Sequence, residues 1–201
     1  MTRPDAERIA AARSRFAGLH QAGCFVIPNP WDTGSAMMLK HLGFQALATT
    51  SSGFSFSKGL PDADWAVPRD MVLDHVAEMV AATDLPVNAD FESGYAHDPD
   101  GVAENCRLCA ATGVAGLSIE DNSGDPSAPL YPFDLAVERI RAAVSALRGT
   151  GVLLTARAEA HLLGVPDPQR EAVKRLVAFA EAGADVLYAP GLRTPEQIRE
   201  V

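Results

Sequence analysis

Carboxylate side chains stand at the ends of two apolar runs of the sequence, and an arginine stands at the end of a third. Asp90 and Glu92 follow the run Leu85–Asn88, Glu120 follows the next run, and Arg157 ends the one after that. Neighbouring strands lie about 4.8 Å apart, so carboxylates at adjacent strand ends can converge on one small volume. Carboxylates held together repel one another unless a cation neutralises them or some are protonated. An all-oxygen cluster without His or Cys favours Mg²⁺, with Mn²⁺ as the alternative.

Two interpretations of Arg157 are open. Its planar, permanently charged guanidinium is suited to binding a substrate carboxylate through two hydrogen bonds. Alternatively, it only pairs with Glu120 or Glu159. The segment Thr49–Phe54 is predicted to be a turn whose backbone N–H groups and hydroxyls could bind a second anionic group. Together these residues indicate a site for a small anionic molecule beside a cation.

The elements that must position these residues are short apolar strands that alternate with helices. The glycines at 43, 113 and 183 each follow a helical stretch and precede an apolar run, and glycine suits the left-handed turn that ends a helix. The six predicted strands are Cys24–Ile27, Leu85–Asn88, Val152–Thr155 and the three runs after those glycines. The predicted helices are Ser35–Leu42, Arg69–Ala82, Pro99–Thr112, Leu135–Leu147 and Pro168–Ala182, and Thr194–Val201 resembles the start of another.

This alternation predicts an α/β fold with a parallel sheet. A doubly wound sheet normally carries a G-x-G-x-x-G turn after an early strand, and the sequence has none. Polar residues at almost every strand end favour a (β/α)₈ TIM-type barrel, whose active site lies at the carboxyl ends of its strands. Residues 1–201 are expected to form a single barrel domain that supplies about six of the eight β/α units and lacks the last two.

Charge and composition argue against several partners. The formal net charge is −9, from 17 basic and 26 acidic residues, whereas nucleic acids and anionic membranes favour basic surfaces. No apolar run approaches the roughly 20 residues that span a bilayer, and the amino terminus lacks a signal-peptide core. A cytoplasmic protein is therefore expected. Cys106 and Cys109 fall within a predicted helix and are expected to be reduced and partly buried.

Ordered sequence blocks resemble the isocitrate lyase/phosphoenolpyruvate mutase superfamily, in particular its 2-methylisocitrate lyase-like and oxaloacetate decarboxylase-like branch. They occur in the order of the family and cover about residues 23–190. The blocks are Asn29-Pro-Trp-Asp-Thr-Gly-Ser-Ala36, Ser51-Ser-Gly-Phe54, Asn88-Ala-Asp-Phe-Glu-Ser-Gly-Tyr95, Gly113-Val-Ala-Gly-Leu-Ser-Ile-Glu-Asp121 and Thr155-Ala-Arg-Ala-Glu159.

The resemblance implies roles for individual residues. Asp90 would bind Mg²⁺ directly, while Glu92, Glu120 and Asp62 would hold metal-bound waters. Arg157 would hold a small α-keto acid, and the bound cation and Arg157 would stabilise an enolate or a similar oxyanion. The resemblance also implies a homo-oligomer, either a tetramer or a dimer. The groups implied to contact the substrate carboxylate are Ser51, Ser52, Gly53 and Phe54.

The loop Asp121–Tyr131 departs from the family pattern. It contains neither the Lys-Cys-Gly-His motif of the isocitrate and methylisocitrate lyases nor the Lys of the phosphonate-forming mutases. Its available catalytic groups include Asn122, Ser123 and Tyr131, and Ser123 or Tyr131 could carry a proton or could be a turn or hinge residue. The expected enzyme is a Mg²⁺-dependent carbon–carbon lyase that cleaves or decarboxylates a small 2-oxo or 2-hydroxy di- or tricarboxylate, such as oxaloacetate or methylisocitrate, through an enolate.

Three alternatives stay open at this point. The missing loop acid/base is also compatible with a non-catalytic barrel that binds a dicarboxylate. A phosphonate-forming mutase and a hydroxymethyltransferase-type enzyme are the alternatives within catalysis.

Overall fold

A computed structural model describes residues 4–63 and 65–201, and within these ranges it contains five parallel strands and eight helices. The strands lie side by side in chain order, without the reversal of strand order that marks a doubly wound sheet. The strands are β1 (Leu47–Ala48), β2 (Val87–Asp90), β3 (Gly116–Glu120), β4 (Leu153–Arg157) and β5 (Val186–Tyr188). The helices are α1 (Ala6–Leu19), α2 (Thr33–His41), α3 (Ser51–Ser57), α4 (Arg69–Ala82), α5 (Pro99–Ala111), α6 (Phe133–Leu147), α7 (Pro168–Ala182) and α8 (Pro195–Glu200).

The predicted α/β barrel architecture is confirmed, although one predicted strand is wrong. Residues Cys24–Ile27 form no strand, and Val26 is 67% exposed. This run is apolar because Phe25 and Ile27 pack against the cluster around Phe16 of α1, rather than because it pairs within the sheet. The described part of the chain therefore supplies five strands where six were expected.

The predicted helices agree with the structure, with α4 and α7 matching at both ends. The predicted turn at Thr49–Phe54 is instead the first part of α3, because Thr50 caps that helix by accepting a hydrogen bond from the Gly53 N–H at 3.1 Å. Helix α1 was missed. Its many alanines and charged residues give it only a weak apolar stripe, with Phe16 alone buried.

Arg13 anchors helix α1 to the segments that precede β3 and β4. The guanidinium of Arg13 donates hydrogen bonds to the carbonyls of Ala110, Val114 and Thr150, at 2.8, 3.0 and 2.8 Å. At the start of β3, a Cβ on Gly116 would lie 2.6 Å from the ring of Phe16, so a larger residue would force α1 away from the sheet.

The main core lies between the sheet and α4–α7. Cys106 and Cys109 form no disulfide, as the sequence predicts, and they are fully buried in α5 where partial burial was expected. Among the described residues, no helix combines the length and apolar character needed to cross a bilayer.

Candidate active site

Strand register brings the sequence-predicted residues to one edge of the sheet. Asp90, Glu120 and Arg157 are the last residues of β2, β3 and β4. Glu120 pairs directly with Arg157, and Asp90 pairs with Ser118, two residues before Glu120. Because parallel strands all end at the same edge, these three side chains meet at the carboxyl end of the barrel wall, as predicted.

Asp90 is held by the segment that follows β1. Its Oδ2 accepts a hydrogen bond from the Ser51 N–H at 2.9 Å, and its own N–H donates to Thr49 Oγ1 at 2.9 Å. Its Oδ1 is buried and accepts no hydrogen bond from the described residues; the Arg157 Nη1 lies 3.6 Å away. Asp90 therefore presents one fixed oxygen atom with lone pairs still available.

Arg157 is surrounded by carboxylates. Its Nη1 lies 3.4 Å from Glu120 Oε2, and its Nε donates a hydrogen bond to Glu159 Oε1. Burial alone would lower the pKa of Arg157, but the charges of Glu120, Glu159 and Asp90 raise it above its usual value. Among the described residues, the hydrogen bond and ion pairs of Arg157 use Nε and Nη1, and the guanidinium carbon lies 5.7 Å from the centroid of the Tyr188 ring, so Nη2 is free to donate a hydrogen bond.

Glu92 lies in a tight turn beyond β2. Its backbone has a positive φ of 46°, its Oε1 accepts a hydrogen bond from the Tyr95 hydroxyl, and its Oε2 accepts one from the Trp65 N–H at 3.4 Å. Burial raises the pKa of Glu92 to about 7, and the charges of Asp90 and Asp62 act in the same direction against these two hydrogen bonds. Glu92 therefore combines a strained backbone with a carboxyl group whose pKa is raised by burial and by the charges of Asp90 and Asp62.

Two further acids belong to the same electrostatic cluster. Burial raises the pKa of Glu120, with Glu159 and Asp90 adding to the effect and Arg157 opposing it. Partial burial and the charge of Asp90 raise the pKa of Asp62, while Arg157 lowers it. The cluster thus contains more acidic side chains than its one guanidinium neutralises.

The residues predicted to contact the substrate carboxylate form the start of α3. The N–H of Ser51 is used by Asp90, and the Ser52 hydroxyl lies 3.1 Å from Thr50 Oγ1. The Gly53 and Phe54 N–H groups donate to Thr50, as expected for the first turn of a helix. The Phe54 ring is buried and stacks on His75, with the ring centroids 3.8 Å apart. Of this group, Ser51 contacts the acid cluster directly, through the hydrogen bond from its N–H to Asp90.

The predicted catalytic loop folds as a closed hairpin. Asn122 forms an antiparallel bridge with Leu130, and its Oδ1 accepts a hydrogen bond from the Gly124 N–H at 3.0 Å. The Ser123 hydroxyl donates to the Ala128 carbonyl within the same loop. Tyr131 is 4% exposed, and its hydroxyl lies 2.7 Å from His97 Nδ1. Asn122 and Ser123 stabilise the loop itself, while Tyr131 joins the end of the loop to the segment that follows β2.

The sequence places Asp121 beside Glu120 at a strand end, and the structure gives it a structural role, whereas Tyr95 and Trp65 are site residues that sequence reasoning missed. Asp121 accepts hydrogen bonds from the Glu159 N–H at 2.8 Å and from Arg175 at 3.1 Å, which ties the ends of β3 and β4 to α7. Tyr95 lies within a sequence block that marks the site, so its position was a usable signal. Trp65 lies about 27 positions from Glu92 in a loop without a recognisable pattern, so only the tertiary structure identifies it.

The donor set can be tested against a bound metal. Among residues 4–63 and 65–201, no three His, Cys, Asp or Glu side chains are close enough together to hold one ion. Asp90 Oδ1, however, is a buried carboxylate oxygen without a hydrogen bond, and acids with raised pKa values flank it. The site therefore fits a hard cation with one direct protein ligand and waters held by the other acids, as Mg²⁺ prefers, and does not fit an all-protein cage.

The chain matches a known protein family and solved structures. Residues 16–201 match the family model described as phosphoenolpyruvate phosphomutase. A lyase/mutase candidate from Burkholderia cenocepacia J2315 has a solved structure that superposes with a TM-score of 0.91 at 48% identity, covering 96% of this chain and 69% of that one.

Two relatives are named for specific enzymatic activities. The 2-methylisocitrate lyase of Escherichia coli K12 is 30% identical over 173 residues, which is 83% of this chain and 55% of that protein. The oxaloacetate decarboxylase of Paraburkholderia xenovorans is 30% identical over 190 residues, which is 90% of this chain and 61% of that protein. The chain thus spans somewhat more than half the length of these two relatives.

Proposed function

Because the chain belongs to the isocitrate lyase/phosphoenolpyruvate mutase superfamily, we propose that it is a Mg²⁺-dependent carbon–carbon lyase. Its substrate would be a small 2-oxo or 2-hydroxy di- or tricarboxylate, with oxaloacetate and methylisocitrate as the leading candidates. The relatives named for these two substrates support this substrate class.

One observation carries the proposal: Asp90 and Arg157 are in contact. Asp90 Oδ1 is available to a cation, and Arg157 Nη2 is available to an anion. The Arg157 Nη1 lies 3.6 Å from Asp90 Oδ1, so a cation at Asp90 and an anionic group at Nη2 would be close to each other. An oxo-acid carries adjacent oxygen atoms that can meet both groups at once. This arrangement suits an α-keto acid better than a neutral molecule.

The chain's own residues would bind and orient the substrate. Arg157 would donate Nη2 to a substrate carboxylate, while its hydrogen bond to Glu159 fixes the plane of the guanidinium. The Ser51 N–H, by holding Asp90 Oδ2, fixes the direction of the remaining oxygen. When bound, Mg²⁺ would supply positive charge that favours an enolate oxygen, and Mn²⁺ could replace it.

The reaction needs a source for the proton that its enolate takes up. The loop at 122–131 offers hydroxyls, but those of Ser123 and Tyr131 are already engaged with Ala128 and His97. Decarboxylation of oxaloacetate requires a proton only at the enolate carbon, after carbon dioxide has left, and solvent can supply it. For this reason we favour a decarboxylase-type reaction over one that needs a dedicated loop acid.

Steady-state assays with oxaloacetate and with methylisocitrate, each with Mg²⁺ and with EDTA, test the proposal. We expect Mg²⁺-dependent formation of pyruvate from at least one of the two acids, with Asp90→Asn inactive. Tight Mg²⁺-dependent binding of either acid without turnover would instead identify a non-catalytic dicarboxylate-binding barrel.

A further inference from the structure

The turn that carries Glu92 is held in an unusual backbone conformation. Glu92 has φ 46° and Tyr95 has φ 55°, and Gly94 between them has φ 84°. Residues other than glycine rarely adopt this left-handed region, and such residues cluster at sites where the surrounding structure forces them to do so. Some part of the structure must therefore hold this turn in place.

Two buried side chains from outside the turn donate hydrogen bonds to all five main-chain carbonyls of residues 93–97. Arg139, in α6, binds three of them, and Asn105, in α5, binds the other two at 2.8 and 3.1 Å. The carbonyls bound by Arg139 are those of Ser93, Ala96 and His97, and those bound by Asn105 are those of Gly94 and Tyr95.

Burial of the charged side chain of Arg139 costs free energy. It is 1% exposed, and within residues 4–63 and 65–201 it forms no ion pair; the ring of Tyr131 lies 3.9 Å from its guanidinium carbon. Arg175, the other deeply buried arginine, pairs with Asp121 and Glu171. Burial lowers the pKa of Arg139 even though the charges of Asp98 and Asp121 act in the opposite direction. A buried charge without an ion pair is expensive, so its presence indicates a task that an apolar side chain could not perform.

The turn fixed by Arg139 presents Glu92 to the acid cluster. The Tyr95 hydroxyl from the same turn donates to Glu92, and Ser93 accepts a hydrogen bond from Trp65 Nε1 at 3.0 Å, while the Trp65 N–H donates to Glu92. Both hydrogen bonds to the Glu92 carboxylate therefore come from residues whose positions depend on the turn. If the turn relaxes, Glu92 loses its orientation beside Asp90.

We propose that Arg139 is a positioning residue for the divalent-cation site, acting through the turn at residues 92–97 to orient Glu92. This role rests on the proposed function for the identity of the cation. It does not depend on which carboxylic acid is the substrate. Arg139 does not touch the cation, so it acts through Glu92 and the waters that Glu92 would hold.

The main test compares Arg139→Met and Arg139→Lys with Arg141→Met, a change of an exposed arginine on the same helix. Mn²⁺ binding, followed by electron paramagnetic resonance, needs no turnover. Losses of about 10- to 100-fold are typical when a group that orients a metal ligand is removed, and we expect such a loss for Arg139→Met. Arg139→Lys should recover part of the affinity, and Arg141→Met should bind as the wild type does.

A second readout reports on the turn in the metal-free protein. The chain has two tryptophans, so in a Trp31→Phe background Trp65 is the sole emitter. Arg139→Met should shift the emission of Trp65 to longer wavelength as the contact with Ser93 loosens, and Arg141→Met should not. If Arg139→Met does not fold, Asn105→Ala, which frees the other two carbonyls, should change Mn²⁺ affinity and Trp65 emission in the same direction.

The outcomes separate the two proposals. A lower melting temperature for Arg139→Met, with Mn²⁺ affinity and Trp65 emission unchanged well below that temperature, would make Arg139 merely structural and overturn the inference. Normal Mn²⁺ binding by a wild-type protein that turns over neither acid would count against the proposed function alone. A wild-type protein that binds no Mn²⁺ would overturn both.

Discussion

Arg157 Nη1 lies 3.6 Å from Asp90 Oδ1, and this contact joins the two halves of the candidate site. Asp90 belongs to the half suited to a cation, and Arg157 to the half suited to an anion. The contact also means that the guanidinium partly screens Asp90 when no other cation is present. A metal at Asp90 must therefore compete with Arg157, and a substrate carboxylate that draws Arg157 away would strengthen metal binding.

Asp90→Asn should remove the response of the protein to Mg²⁺. An isosteric amide keeps the packing but removes the charge on the oxygen that is expected to bind the cation directly. A ligand present at 100 times its dissociation constant stabilises a protein by about 2.7 kcal/mol, so Mg²⁺ should raise the wild-type melting temperature clearly and that of Asp90→Asn hardly at all. Differential scanning fluorimetry with and without Mg²⁺ measures this, with the exposed Asp74→Asn as control. An equal Mg²⁺ shift in Asp90→Asn would refute the metal assignment.

Arg157→Lys should weaken oxo-acid binding more than it weakens folding. An ammonium can still pair with Glu120, but it cannot hold Glu159 through Nε while offering a second nitrogen to substrate. Loss of one charge-assisted hydrogen bond costs about 1.5–3 kcal/mol, so we expect the dissociation constant of a bound oxo-acid analogue to rise by roughly 10- to 150-fold. Calorimetric titration with oxalate as an unreactive probe measures the affinity, with Arg141→Lys as control. Unchanged oxalate affinity would show that Arg157 serves only as an ion-pair partner.

Tyr131→Phe distinguishes a proton carrier from a structural residue. Because Tyr131 is 4% exposed and its hydroxyl bonds to His97, we expect kcat to fall less than threefold and stability to fall by about 1 kcal/mol, the usual contribution of one hydrogen bond. Urea unfolding and steady-state kinetics measure the two effects. A fall in kcat of about 100-fold at unchanged stability would instead restore the proton-carrier interpretation, because general acid–base catalysis contributes on that scale.

His75 should make the protein less stable in mild acid. Burial, followed by the charge of Lys58, lowers the pKa of His75 to about 4, against 6.5 in the unfolded chain, while Asp32 acts in the opposite direction. As the pH falls below 6.5, the unfolded chain takes up a proton that the folded protein does not, so stability is lost between pH 6.5 and about 4 and the loss is complete below that range. At pH 5 the loss is about 2 kcal/mol.

His75→Phe keeps an aromatic ring against Phe54 and removes this titration. The difference in unfolding free energy between pH 7.5 and pH 5, from urea titrations, should therefore be about 2 kcal/mol smaller for His75→Phe than for the wild type. The exposed His41→Gln should behave as the wild type does. Parallel pH profiles for wild type and His75→Phe would show that His75 is not the responsible group.

The limits of sequence reasoning are visible at particular residues. The alternation of apolar runs and helices was sufficient for the barrel wall, since β1 to β3 are short and largely buried runs. The pattern also found β5, although that strand is only partly buried. The strand predicted at Cys24–Ile27 was wrong because an apolar run that packs on α1 has the same composition as a buried strand. Homo-oligomerisation, a cytoplasmic location and the absence of nucleic-acid partners stay predictions.

The sequence by itself determined which residues end adjacent strands, because the order and spacing of β/α units dictate that Asp90, Glu120 and Arg157 share one edge. Only the tertiary structure decided how each of them is held. Three interactions depend on the exact directions of side chains. They are the hydrogen bond from Ser51 to Asp90, the hydrogen bond from Arg157 to Glu159, and the hydrogen bonds from Arg139 to the turn that carries Glu92. Those directions follow from packing between segments distant in the chain, and local sequence patterns do not encode them.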